Sequence, residues 1–408
     1  VDNVSLNWEK HLSVMARDRL SPSLLGDLFA IENEYKPICL SPGEPTQDLF
    51  PLEEMRPFFE KICDERALFG YYAYHAGHVG LREWISEWMH EDGVAADWVK
   101  SDNILLTTGS QQGLGLVSEL LIDLGTVVAL EAPTYIEALR AFRKCGASFA
   151  EVQTDIDGII PGSFEEVCRN SRPSLLYTIP NFQNPSGSVT SLERRKEILE
   201  IARRFDVVVL EDDPYRYISF MDQVPTSYLS LAGEDNRVIY LGSFSKLICP
   251  GIRCGWMILP QAILKKMTQL RHTLEISLPA SLQHVISEFC HGMNRKEYFS
   301  KLQDVYKQRC AALVRNLEIT MMPRGLTMNS PRGGYFIWSR LPGIDNMRKF
   351  AEFAVMTHGI SVTPGYIFFT APGQGGDTLR FSFAKVTPEM AEEGCARLAR
   401  AYDNYPKG

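Results

Sequence analysis

The chain has no pair of cysteines at CxxC spacing. Its nine cysteines, Cys39, Cys63, Cys145, Cys168, Cys249, Cys254, Cys290, Cys310 and Cys395, form an odd set scattered over 408 residues. Such a set argues against a disulfide framework and suits a reducing compartment, so a cytoplasmic location is expected. No apolar run approaches the ~20 residues that a membrane helix needs. The start, VDNVSLNWEKHLSV, lacks the basic and apolar blocks of a secretory leader. There is no long basic run and the formal net charge is −8. Binding to nucleic acid or to an anionic membrane surface is therefore not expected, although a local positive pocket for a small anion fits that total. GxGxxG, HExxH and GxSxG are missing, so a dinucleotide fold, a zincin and a hydrolase elbow have no motif behind them. His75 and His78 stand three apart, but no carboxylate or cysteine set completes a site around them, and no metal is expected.

What is present is an ordinary globular composition, 45% apolar and 23% charged, in a chain long enough for two domains. Six apolar runs, at 104–109, 127–133, 174–180, 207–213, 238–243 and 255–260, read as buried strands because they lack the alternation of a one-sided sheet. Helical patterns lie between them. The clearest starts at Thr190, where T-S-L-E makes a capping box with Glu193 ahead of ERRKEILEIARRF. Strands alternating with helices imply an α/β fold with a mainly parallel sheet covered on both faces. A long helix is expected from 295 to 317. Short strands at 333–342, 359–365 and 378–384 around a helix at 346–357 make a second, α+β unit. The first ~45 residues read as irregular and are expected to pack against that unit, and the tail DNYPKG reads as loose. The division expected is 1–50 as an arm and part of the small domain, 51–295 as the large domain and 296–408 as the small one.

Open α/β sheets bind ligands beyond the carboxyl ends of their strands. Ser110, Tyr135, Asn184, Asp212, Ser243 and Lys246 all fall at or beyond the carboxyl end of a predicted strand. The richest segment is GSFSKLICPGIRCGW, 242–256. A lysine beside Arg253 and loop amides would have a lowered pKa, which suits an amine that attacks a carbonyl. Ser243, Ser245 and Arg253 could cradle a phosphate, the arginine as a planar fork. An isolated S-x-K is more often a solvated loop; the following P-G-x-R-x-G makes the segment specific.

S-F-S-K-x-x-x-P-G-x-R-x-G resembles the lysine motif of the fold-type I pyridoxal-phosphate (PLP) enzymes, class I/II aminotransferase family, and loosely their α-aminoadipate/aromatic subgroup. The resemblance runs from Gly43 to Arg380. It implies a seven-stranded, mainly parallel large-domain sheet and PLP held as an internal aldimine on Lys246. EDDPYRY (211–217) matches the family's D-x-x-Y, so Asp212 would pair with the pyridinium nitrogen and Tyr215 with the phenolic oxygen, Asp213 being the competing carboxylate. PNFQNPSG (180–187) makes Asn184 a second partner of that oxygen. TTGSQQGL (107–114) brings Ser110 and Gln111 to the phosphate at a helix N-terminus. Tyr135 in EAPTY would stack on the ring, Arg380 in TLRFSFA would clamp the substrate carboxylate, and the backbone of Gly43 would lie against it. Tyr72, with Tyr71 as competitor, would reach the phosphate of a partner subunit, implying a homodimer. The expected reaction is transfer of an amino group from an amino acid to a 2-oxo acid. Elimination or replacement at the β or γ carbon is the alternative, kept open by the aromatic stretch Tyr71–Tyr74. A PLP-binding regulatory domain is a third reading, without a helix-turn-helix pattern behind it.

Overall fold

The computed structural model describes residues 6–20, 26–69 and 76–406. Tyr72, with the rest of 70–75, lies outside them. The main layer is an eight-stranded sheet of β1 (Ile104–Thr107), β2 (Val127–Ala132), β3 (Ser148–Asp155), β4 (Gly158–Ile159), β5 (Leu175–Thr178), β6 (Val208–Asp212), β7 (Val238–Ser243) and β8 (Gly255–Ile258). The spatial order is β1-β8-β7-β6-β5-β2-β3-β4. From β3 through β2, β5 and β6 to β7 the strands run parallel, while β8 is antiparallel to both β7 and β1.

All six apolar runs are strands. β1, β5, β7 and β8 are buried along their whole length, which is why they carry no polar alternation. β3 was not legible as a strand: half-exposed near the sheet edge, it mixes Ser, Glu, Gln and Thr with its apolar residues. The expected count of seven strands needs one correction. The two-residue β4 folds back on β3 through a turn in which Asp155 Oδ1 accepts the Asp157 N–H at 2.8 Å. Gly158 has φ +83° there, and a Cβ would stand 2.6 Å from the Thr190 Cα, so only glycine fits. A second correction concerns the helix Leu192–Arg204: its N-cap is Ser191, whose hydroxyl accepts the Arg194 N–H, not Thr190.

A smaller antiparallel sheet contains β9 (Thr327–Met328), β10 (Phe336–Arg340), β11 (Thr363–Pro364) and β12 (Thr378–Ser382), in the order β9-β10-β12-β11. The helix Arg295–Thr320 precedes it and buries Phe299, Leu302, Tyr306, Leu313 and Leu317 on one face. The predicted strand 359–365 is split at Val362. Ile360–Ser361 pairs in parallel with Ile38–Cys39, and β11 pairs with β12. The N-terminal segment thus packs on this unit as expected, but it is not irregular: Gly26–Tyr35 is a helix whose Leu28 is buried with Ala351 and Val355. The tail is also more ordered than its composition suggests. Its helix runs from Pro388 to Asn404, and Tyr405 packs edge-on against Phe350 and Phe353. One continuous apolar core contains residues of both sheets.

Candidate active site

β6 and β7 end in Asp212 and Ser243, and the turns after β1 and β2 carry Ser110 and Tyr135, so four strands deliver polar groups to one edge of the sheet. A cavity of about 480 Å³ opens at that edge. Every candidate among the described residues lines it: Gly43, Ser110, Gln111, Tyr135, Asn184, Asp212, Tyr215, Ser243, Ser245, Lys246, Arg253 and Arg380.

Lys246 is half-buried on its wall and donates from Nζ to the Gly43 carbonyl at 2.7 Å. Removal from water pushes its pKa down to about 8. Arg380, Lys385 and Arg253 add to that and Glu44 opposes it. Burial, not Arg253, is thus the main cause of the depression the sequence suggested. The backbone of the lysine is fixed as well. Tyr335 donates to the Lys246 carbonyl at 3.3 Å and Tyr298 to the Leu247 carbonyl at 2.6 Å.

Asp212 is buried, and its Oδ2 accepts from the Tyr177 hydroxyl at 2.9 Å while its Oδ1 has no partner among the described residues. An unpaired buried acceptor costs roughly 1–3 kcal/mol. Burial raises the Asp212 pKa to about 7, the Tyr177 bond opposing and Asp213 reinforcing the rise. Asp213 is spent on structure: it accepts from Asn181 at 2.8 Å and from Tyr240 at 3.3 Å, with Arg216 at 3.6 Å. The two carboxylates thus have different surroundings: Asp213 is engaged on both oxygens, whereas Asp212, which the spacing to Tyr215 favours, keeps one oxygen without a partner among the described residues. A cationic ring N–H is the group that the free Oδ1 lacks, so the site fits a pyridinium.

On one side, Arg253 donates to the Thr108 carbonyl at 2.7 Å and to the Ser245 hydroxyl at 3.4 Å, and the Ser243 hydroxyl accepts the Ser245 N–H at 3.1 Å. These groups surround the N-terminus of the helix Ser110–Leu121, whose first amides have no intrahelical acceptor. Gly109, at φ +81°, makes this possible, because a Cβ would stand 2.7 Å from the Arg253 guanidinium. That cluster of hydroxyl, guanidinium and amide donors suits a phosphate.

On the other side lies Arg380, at the centre of the small sheet in register with Trp338 and Thr363. It donates to Asn184 Oδ1 at 2.9 Å and to the Ser41 carbonyl at 2.8 Å, while its buried Nε has no partner among the described residues. The rings of Phe336 and Phe368 flank the guanidinium at 4.3 and 4.9 Å. Burial lowers its pKa to about 10. Tyr215 lines the cavity together with Asn184. Gly43 presses against Phe336, whose Cζ would be 2.8 Å from an added Cβ.

Sequence reasoning missed Tyr177, Phe336, Phe368 and Glu44. Tyr177 sits inside an apolar strand run and reads as packing. The two phenylalanines reach Arg380 only through tertiary contact, so no local signal marked them.

The sequence model for "Aminotransferase class I and II" matches residues 35–398. The chain is 33% identical over 404 residues to the 2-aminoadipate transaminase of Thermus thermophilus, covering 97% of each. It is 31% identical to aromatic-amino-acid aminotransferase 1 of Thermococcus litoralis, covering 97% of this chain and 94% of that protein. Its fold superposes with a TM-score of 0.88 on an α-aminoadipate aminotransferase from Thermus thermophilus complexed with N-(5'-phosphopyridoxyl)-L-leucine, at 32% identity and 98% coverage of both chains.

Proposed function

The chain belongs to the class I and II aminotransferases, and from that premise we propose that its cavity serves an α-amino acid with a neutral side chain and the matching 2-oxo acid. The protein is a pyridoxal-phosphate-dependent aminotransferase. When bound, the cofactor supplies an aldehyde for amines and a conjugated ring that takes up electron density from the substrate α-carbon.

The roles of the residues follow from their surroundings. Lys246 would hold the aldehyde end, and its free Nζ would be the group that accepts a proton from the substrate α-carbon. A lysine with a pKa near 8 spends enough time as the free amine to do both. Asp212 Oδ1 takes the ring N–H and keeps the ring protonated. Tyr215 and Asn184 hold the phenolic oxygen. Ser110, Gln111, Ser243, Ser245 and Arg253 hold the phosphate, and Tyr135 walls the ring. Arg380 binds the substrate carboxylate, stripped of water between its two phenylalanines, with the Gly43 backbone alongside.

The observation that carries the substrate class is the shortage of spare positive charge. Lys246, Arg253 and Arg380 are the only cations among the described residues lining the cavity, and each has a task above. Segments 21–25 and 70–75 contain neither lysine nor arginine. A distal carboxylate would be left buried without a partner, at a cost of several kcal/mol. Phe29, Ile136 and Phe368 instead offer apolar surface. Assayed as the cofactor-loaded protein, phenylalanine, tyrosine or leucine is expected to exceed 2-aminoadipate at least tenfold in kcat/KM. A preference for 2-aminoadipate overturns the substrate class.

Two copies sharing the site, a cytoplasmic location and the division 1–50, 51–295 and 296–408 are parts of the same reading. Leu274 and Ile276, each 55% exposed, support the shared site. They bracket Glu275, which accepts from Gln112 at 2.6 Å and from Thr108 at 3.3 Å in the phosphate loop. A partner covering those side chains would stand beside the cofactor, where Tyr72 of the other copy is expected. Among the described residues no helix is long and apolar enough to cross a membrane.

A further inference from the structure

We infer that Gln183, anchored on the buried carboxylate of Glu131, is a positioning residue that sets the substrate-carboxylate end of the site through Asn184. Neither residue touches Lys246 or Arg380. Both are at most 1% exposed, and together they make more polar contacts than packing requires. Glu131 accepts the Thr178 hydroxyl at 2.8 Å, the Ile179 N–H at 3.1 Å and the Gln183 side-chain amide at 3.1 Å. A carboxylate facing an amide N–H, a primary amide and a hydroxyl, with no cation beside it among the described residues, is held by neutral donors.

Gln183 has its own orientation fixed. Its oxygen accepts both the N–H and the hydroxyl of Ser186, each at 2.7 Å, so its nitrogen must face Glu131 and the Pro133 carbonyl, the latter at 2.7 Å. Its backbone closes the same loop, donating to the Ser188 carbonyl at 3.0 Å and accepting from Gly187. The next residue is Asn184, which receives Arg380 at 2.9 Å. The far side of the loop is tied to the small sheet: Asn329 donates to the Ser186 carbonyl at 2.6 Å and accepts the Trp338 N–H at 2.9 Å. Trp338 is the register partner of Arg380. Gln183 is therefore the point where β2, the Asn184 loop and the Tyr135 segment following Pro133 are joined.

The inference rests on Arg380 being the carboxylate site, so the experiment includes a control for that reading. Dissociation constants of an unreactive substrate-analogue carboxylate would be read from the absorbance of the cofactor-loaded protein, with kcat and KM measured alongside. In Gln183→Glu, two carboxylates would face each other. The analogue is expected to bind at least tenfold more weakly and KM to rise by a similar factor, with kcat changed less than threefold. Adding Glu131→Gln restores a donor–acceptor pair and should recover most of the binding, which a general loss of structure would not allow. Melting of each variant separates misfolding from mispositioning. If Arg380→Leu leaves analogue binding intact, the carboxylate reading fails. If Arg380→Leu abolishes binding but Gln183→Glu binds as the parent does, or the second substitution gives no recovery in a folded protein, the positioning role fails.

Discussion

The two ionisable groups given the central roles in the proposed reaction are each destabilising in the protein without its cofactor. Asp212 is held with a pKa near 7 against 3.8 for a free aspartate. Its contribution to stability is whole below about pH 3.8 and lost as pH rises through 7, because the folded state keeps a proton that the unfolded chain has released. Asp212→Asn should therefore raise the melting temperature of the cofactor-free protein at pH 8, by the equivalent of a few kcal/mol, while weakening cofactor retention. A lower melting temperature for this variant at pH 8 would contradict the burial argument. Lys246 has the opposite sign. Its pKa is lowered from 10.5 to about 8, so the burial cost is full below 8 and disappears between 8 and 10.5, as the folded state gives up its proton first. Lys246→Met should melt higher than the parent without cofactor at pH 7, with the gap closing toward pH 10.5. In the loaded parent, borohydride reduction and peptide mapping should find the adduct on Lys246; a different lysine would end the assignment.

At the scale of elements, the site is made by strand ends and one helix start. Arg253 can lie across the loop before the helix Ser110–Leu121 only because Gly109 has no side chain. Gly109→Ala combines a left-handed φ with a 2.7 Å collision against the guanidinium. We expect this variant to fold, because the loop is at the cavity and not in the core, but to lose cofactor on dialysis at least tenfold faster than the parent. Retention at the parental rate would show that Arg253 is not needed on the phosphate. The strands were legible because burial on both faces removes polar residues from β1, β5, β7 and β8. β3 and the helix Gly26–Tyr35 were not, since a half-exposed strand near the sheet edge and a helix of mean apolarity carry no strong period.

For the whole molecule, the similarity over nearly the full length favours transamination over elimination or a regulatory role. Assembly is the next step up in scale. Substituting Leu274→Glu with Ile276→Glu should shift the protein from two copies toward one in sedimentation velocity and lower the activity per chain. Unchanged sedimentation, or activity that survives as a single copy, would remove the shared site from the proposal. The double variant keeps Glu275, so its contacts with Gln112 and Thr108 are not the thing disturbed.

By itself the sequence determined the residue types and their order. Lys246 in S-F-S-K, Asp212 before Tyr215, and Asn184 in N-P-S-G are local patterns, and a local pattern survives without knowledge of the fold. The spacing to Tyr215 already favours Asp212 over Asp213, but the partners that reach each carboxylate needed the tertiary structure, because they come from elsewhere in the chain. So did the aromatic sandwich on Arg380 and the Glu131–Gln183 anchor. Their members lie far apart in the chain, and hydrogen bonds and ring contacts depend on distance in space, which no spacing along the sequence encodes.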